Sequence, residues 1–211
     1  MIELRPLAVI AALLAGTAAN AADLDVQVRT PNGAPVRDAV VALHLVRQPT
    51  PLPKSSGNAA IDQQNIQFHP LVSIVPVGGS AAFMNHDPVR HHVYSFSEAK
   101  RFELKVNERQ VNRVVTFDKA GIVPLGCNIH DRMIAFIDVV DTPWAMKTDG
   151  NGNVSFHGLP ATGVTIDVWH PYLRAPGNRV SRAAALTQGP ARRESFTVAL
   201  RSPPRPPDTS Y

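Results

Sequence analysis

The chain's single cysteine, Cys127, lies in Gly126-Cys127-Asn128-Ile129-His130-Asp131-Arg132-Met133, a C-x2-H-x2-M run. A thiolate, an imidazole and a thioether within seven residues supply the soft donor set that copper prefers. One cysteine cannot close a disulfide within its own chain, so the thiol needs another reason to exist. Unperturbed at a pKa of about 8.5 it would be mostly protonated at neutral pH, and metal ligation is one way to make it a thiolate. Other chemistries fit less well. A cysteine nucleophile normally takes its base from elsewhere in the fold, not from three residues along one tight loop. Zinc favours cysteine, histidine and carboxylate over a thioether. The carboxylates show no clustered pair for acid–base work, and no enzyme is expected.

Two adjacent imidazoles stand upstream of this loop. His91 and His92 follow the loop Asn85-His86-Asp87-Pro88-Val89-Arg90. Adjacent residues of a strand point to opposite faces, so both cannot easily serve one site. His86 is expected to be exposed, and His44, His69, His157 and His170 read as strand or turn residues.

These donors have to be positioned by β-structure. Nineteen prolines and thirteen glycines stand among short Val/Ile/Thr-rich runs, the signature of strands with frequent turns. No long stretch keeps a helical period; the best candidate is Asn178–Leu186. Leu24–Arg29 and Ala39–Val46 read as strands around the turn Pro31-Asn32-Gly33, and Pro49–Asn58 reads as a linker. Ile74–Val77, Ser80–Met84, Val114–Phe117, Ile122–Leu125 and Ile134–Val140 read as strands of a middle block, and that block holds the metal-like residues. TDGNGNVSFHGLPATGVTIDVWHP, at Thr148–Pro171, reads as turn, strand, turn, strand.

The first residues set the compartment. A charged start, an apolar run Leu7–Ala15 and Ala19-Asn20-Ala21 make the pattern of a secretory signal over residues 1–21, its apolar part too short to span a bilayer. No cysteine stands near Ala21 for a lipid anchor, and no later run has transmembrane length. The expectation is a periplasmic protein without a membrane anchor, about 190 residues long after cleavage. The net charge of +4 is carried by scattered basic residues without interleaved aromatics, which argues against nucleic acid.

The pieces also resemble known families. VQVRTPNGAPVRDAVVAL, at Val26–Leu43, and Thr148–Pro171 look like two ends of a transthyretin-type, carboxypeptidase-regulatory-like sandwich. The N-x-D loop with a histidine four residues after Asp87, and a later strand delivering Gly126-Cys127, resemble the two ligand segments of cupredoxins. The C-x2-H-x2-M loop is spaced like that of amicyanin. VRHHVYSFSEAKRFEL, FDKAGIVPLGCNIHDRMIAFIDVVDTPW and TDGNGNVSFHGLP together look like a bacterial family known as methylamine utilization proteins, over nearly all of the mature chain. This resemblance implies an all-β fold. A cupredoxin-like Greek-key sandwich at 59–141 would be inserted in a small carboxypeptidase-regulatory-like sandwich at 22–50 and 142–200, leaving a disordered tail at 201–211; two consecutive domains are the alternative. It implies one mononuclear type 1 copper on His91, Cys127, His130 and Met133. The D-x3-H spacing selects His91, with His92 as the alternative where many cupredoxins carry an asparagine. The function implied is electron transfer, as a monomer, with a dehydrogenase, cytochrome or oxidase. A copper carrier, storage or sensing module is the other reading.

Overall fold

The computed structural model describes residues 21–53, 57–107 and 113–202. The expected signal lies outside these except for Ala21, and so does the expected tail except for Arg201 and Ser202. Arg201 is tied down, its backbone N–H donating to the Tyr172 carbonyl at 2.7 Å and its guanidinium to Asn178 Oδ1 at 2.6 Å.

The chain opens with β1 (Ala21–Arg29) and β2 (Val40–Leu45). Then come β3 (Ala59–Gln63), β4 (Phe68–His69), β5 (Val72–Pro76), β6 (Ser80–Asn85), β7 (His91–Phe96), β8 (Arg101–Val106), β9 (Arg113–Thr116), β10 (Gly121–Cys127) and β11 (Ile134–Val140). It closes with β12 (Ala145–Lys147), β13 (Asn153–Pro160), β14 (Gly163–Trp169), β15 (Arg179–Ala185) and β16 (Arg192–Thr197). The fold is all-β. Among the described residues the helical structure is one 3-10 turn at Pro176–Asn178, and no helix is long and apolar enough to cross a membrane.

Four sheets stack in two pairs. Sheets β13-β1-β16 and β12-β2-β14-β15 enclose one apolar core, with Leu24, Val26 and Val28 from β1 facing Val41, Leu43, Ile166 and Val168. Sheets β5-β11-β10-β7-β8 and β4-β3-β6-β9 enclose a second, built from Ile61, Phe83, Val93, Val123, Leu125, Ile137 and Cys127. In β1, β6, β7 and most of β14 the buried residues alternate with more exposed ones, as a half-buried sheet requires, whereas β2 and the second half of β11 are buried nearly throughout. The first and last thirds of the chain thus share one core, and the middle block has its own.

The two sandwiches meet through outer faces. Trp169 lies edge-on to Phe136 with ring centroids 6.0 Å apart, packed with Val40, Val72, Leu71, Ile74 and Ile122. Beside this apolar contact Arg179 spans the junction, 3.3 Å from Asp167 and 3.8 Å from the buried Asp138.

The stretch with the nearest approach to a helical period, Asn178–Leu186, holds the edge strand β15 (Arg179–Ala185), paired antiparallel with β14 from Gly163↔Ala185 to Trp169↔Arg179. Val180 and Ala184 pack on the first core, and that tertiary contact outweighs the helix preference of a short alanine run.

Candidate metal centre

Alternation along β7 turns His91, Val93 and Ser95 inward and His92, Tyr94 and Phe96 outward. Along β10, Val123, Leu125 and Cys127 point inward. The two strands pair antiparallel at Gly126↔Tyr94 and Cys127↔Val93, which brings the end of β10 to the start of β7. The loop then turns tightly. Asn128 N–H donates to the His92 carbonyl at 2.9 Å, and Met133 N–H to the His130 carbonyl at 3.0 Å.

Three donors converge there. His91 Nδ1 lies 3.2 Å from His130 Nδ1, and Cys127 Sγ lies 3.8 Å from His91 Nδ1 and 3.6 Å from His130 Nδ1. Metal–nitrogen bonds of about 2.0 Å and metal–sulfur bonds of about 2.3 Å in a trigonal plane put nitrogens ~3.5 Å apart and nitrogen and sulfur ~3.7 Å apart. The observed separations fit such a set. Among the described residues it is the one group of three or more His, Cys, Asp or Glu side chains whose donors lie within 4.8 Å of one another. Two imidazole nitrogens and one thiolate suit copper, zinc or iron by donor type, and a neighbouring thioether favours copper.

Burial and partners prepare the nitrogens. His91 Nε2 is 2.9 Å from Asp87 Oδ2. Burial pushes the Asp87 carboxyl up. Amide N–H bonds from Ile66 and Asn65, and the His91 ring, outweigh that and hold it below the usual carboxylate range. An ionised carboxylate only accepts, so Nε2 carries the His91 proton and Nδ1 presents its lone pair to the cluster. Burial also lowers the His130 pKa, with repulsion from His91 adding to it and Asp87 opposing; the neutral ring is the ligating form.

The four expected residues therefore stand as follows. His91, Cys127 and His130 are brought together. Met133 is 2% exposed, in the same core cluster as Cys127, and lines a shallow groove of about 440 Å³ with Tyr94, Phe96, Pro124 and Ile134. His92 points to the other face, 3.3 Å from Glu103, yet its carbonyl holds Asn128, so the tie between the two ligand segments is made by backbone. Asp87 is the functional residue whose role was missed; its signal was the four-residue spacing to His91.

Gly126 is required by packing. A Cβ there would come within 2.7 Å of Tyr94 Cζ and 2.8 Å of its Oη, so the Tyr94 side chain lies against the backbone just before Cys127. At the rim His130 is partly exposed and Ile129 is 46% exposed, as are Ile66 and Val89 to similar degrees. Pro124 and Met84 stand on the outer faces of two different sheets.

Of the other histidines, His170 is buried, which drives its pKa down to about 4, and its Nδ1 accepts the Tyr172 N–H at 3.2 Å. His44 lies 3.4 Å from Asp167, and His157 lies 3.1 Å from Asp23.

No family model and no curated protein matches the chain. Solved structures similar to it include a copper(I) form of an amicyanin variant. That match has 20% identity and a TM-score of 0.35, over 40% of this chain and 83% of the other. A purple cupredoxin from Nitrosopumilus maritimus matches at 21% identity and a TM-score of 0.34, over 39% of this chain and 99% of that one. A copper-containing nitrite reductase from Thermus scotoductus matches at 22% and 0.38, over 46% of this chain and 25% of the enzyme. These neighbours are cupredoxins or copper proteins by name; the chemistry of the present chain is read from its own donors.

Proposed function

We propose that the protein is a periplasmic type 1 copper protein that carries single electrons, with His91, Cys127, His130 and Met133 as the residues that would hold the metal. The observation that carries this reading is the convergence of two imidazole Nδ1 atoms and one thiolate within 3.2–3.8 Å. Two imidazoles, a cysteine sulfur and a thioether serve both Cu(I) and Cu(II), so bound copper would supply one-electron exchange with little rearrangement.

The protein's own part is to hold that geometry through the change of charge. His91 is held through Asp87, Cys127 by the β10 strand end, and His130 by a loop pinned to the His92 carbonyl. Burial of Cys127 and His91 keeps water from the sulfur, while the partly exposed His130, rimmed by Ile129, offers an edge to a redox protein. A dehydrogenase, cytochrome or oxidase would be that partner. We assign the chain to the methylamine utilization family on its motifs, with residues 59–141 as the copper domain and 22–50 with 142–200 as the accessory sandwich.

Adding Cu(II) to the mature protein should produce an intense thiolate-to-copper charge-transfer band in the visible and a reversible one-electron couple. Copper binding without the band would favour carriage or storage instead. No binding at the Cys127 centre would end the proposal.

A further inference from the structure

We propose that the outer face of the β4-β3-β6-β9 sheet carries a second copper site, formed by Met84, His86 and Asp62. Its role would be to acquire copper at the surface. That role rests on the copper reading of the buried centre; binding at the surface does not.

Alternation sends Ile61 and Gln63 of β3, and Phe83 and Asn85 of β6, inward, where all four are buried. Asp62, Met84 and His86 consequently share the outward side. β3 and β6 run parallel with Asp62 beside Met84, and neighbouring strands lie about 4.8 Å apart. The backbone N–H of His86 donates to the Gln63 carbonyl at 2.9 Å, keeping His86 against the end of β3. Its Nε2 sits 3.1 Å from Asp62 Oδ1. On the other side of β3, exposed His69 is the antiparallel partner of Asp62. Neighbouring strands thus bring a thioether, a carboxylate and the His86 imidazole to one solvent-facing side, with His69 farther along the same row.

An ordinary surface ion pair would account for His86 and Asp62 but not for Met84. Met84 is half-buried on the outward side, in line with Ser80 and Ala82, where no core is being filled. An imidazole and a carboxylate by themselves suit several divalent ions; the thioether turns the set toward copper. His86 also directly precedes Asp87, the residue that orients His91. An ion held on this row is therefore bound to the loop that organises the buried centre.

The test is a copper titration of the mature protein with copper(II) sulfate, repeated with buffered Cu(I). Bound metal is counted after desalting, and the visible band is followed in time. Two equivalents are expected for the wild type. The double variant Met84→Leu/His86→Ala should bind the second equivalent roughly tenfold or more weakly, and its band should grow more slowly. In Cys127→Ser the surface equivalent should persist without colour, so failure of the buried centre and failure of this site give different results. A double variant that still binds two equivalents overturns the site, as does a wild type whose copper is lost entirely in Cys127→Ser. Loss of the second equivalent with an unchanged rate of band growth overturns the acquisition role.

Discussion

Asp87 and His91 form a buried pair four residues apart, with Nε2 and Oδ2 separated by 2.9 Å and the imidazole side chain fully shielded from solvent. The carboxylate fixes which ring nitrogen is protonated, and so which one is free to ligate. Its other contacts, to the Asn65 and Ile66 N–H groups at 2.7 and 3.1 Å, anchor it to the loop after β3. Orientation of the His91 ring thus depends on two segments far apart in sequence.

Asp87→Asn keeps the shape but offers the ring both a donor and an acceptor, and so no longer selects the Nδ1-ligating tautomer. Copper affinity should fall about 10–100-fold, measured by competition with a chelator, while far-UV circular dichroism stays unchanged. Unaltered affinity would remove Asp87 from the centre. The pair also has a pH signature. The folded Asp87 pKa lies below its unfolded value, so its contribution is present above about pH 4 and is lost as pH falls through the folded pKa. The variant should flatten the acid limb of the apo-protein's stability curve.

Cys127→Ser should abolish the visible band without unfolding either sandwich, because serine nearly preserves the volume of a buried side chain at the end of β10. Met133→Leu should keep copper and colour but shift the reduction potential, at a stability cost under about 1.5 kcal/mol for a volume-conserving change. Spectroscopy and voltammetry on the two variants check both roles. A surviving band in the first, or an unmoved potential in the second, rejects the corresponding ligand.

Gly126→Ala places a methyl group within 2.7 Å of the Tyr94 ring. Either the ring or the strand end must move, and the strand end holds Cys127. The expected result is a destabilisation of about 1–3 kcal/mol together with a displaced or broadened charge-transfer band. Adding Tyr94→Leu should restore much of the band. A band unchanged in Gly126→Ala would show that the strand end does not set the sulfur position.

Asp138 makes a prediction independent of the metal. Burial raises its pKa to about 6, with Arg179 opposing the shift and Asp141 and Asp167 adding to it, and its Oδ2 has no hydrogen-bond partner. The folded pKa exceeds the unfolded one, so the folded state keeps the proton longer and stability falls as pH rises from about 4 to 6. The full cost, on the order of 2–3 kcal/mol, applies above that window. Asp138→Asn should therefore melt higher than the wild type at pH 7.5, with the gap closing toward pH 4. Thermal melts across that range decide it, and a variant that is less stable at neutral pH would mean that the Arg179 contact outweighs the burial of the charge.

Much of this was legible in the chain. Strand alternation was readable at Leu24–Arg29, because a half-buried sheet writes its period directly into the residue types, and Ile134–Val140 was readable as a strand from its short apolar, β-branched run. The C-x2-H-x2-M loop was readable because three donors on one tight turn need no tertiary information to be neighbours. The edge strand β15 was not, since RVSRAAA carries no strand signal of its own and takes its conformation from β14.

By itself the sequence determined the all-β class and the three donor types near Cys127; the upstream imidazole entered through the resemblance to cupredoxins. The tertiary structure decided which of two adjacent histidines faces the thiol, since that depends on which side of β7 the core lies. It also decided that Asn65 and Ile66 anchor Asp87, that the His92 backbone ties down the Cys127 loop, and that Trp169 and Arg179 join the sandwiches. Each is a contact between segments whose separation along the chain says nothing of their distance, and only the packing of one sheet on another brings them within reach.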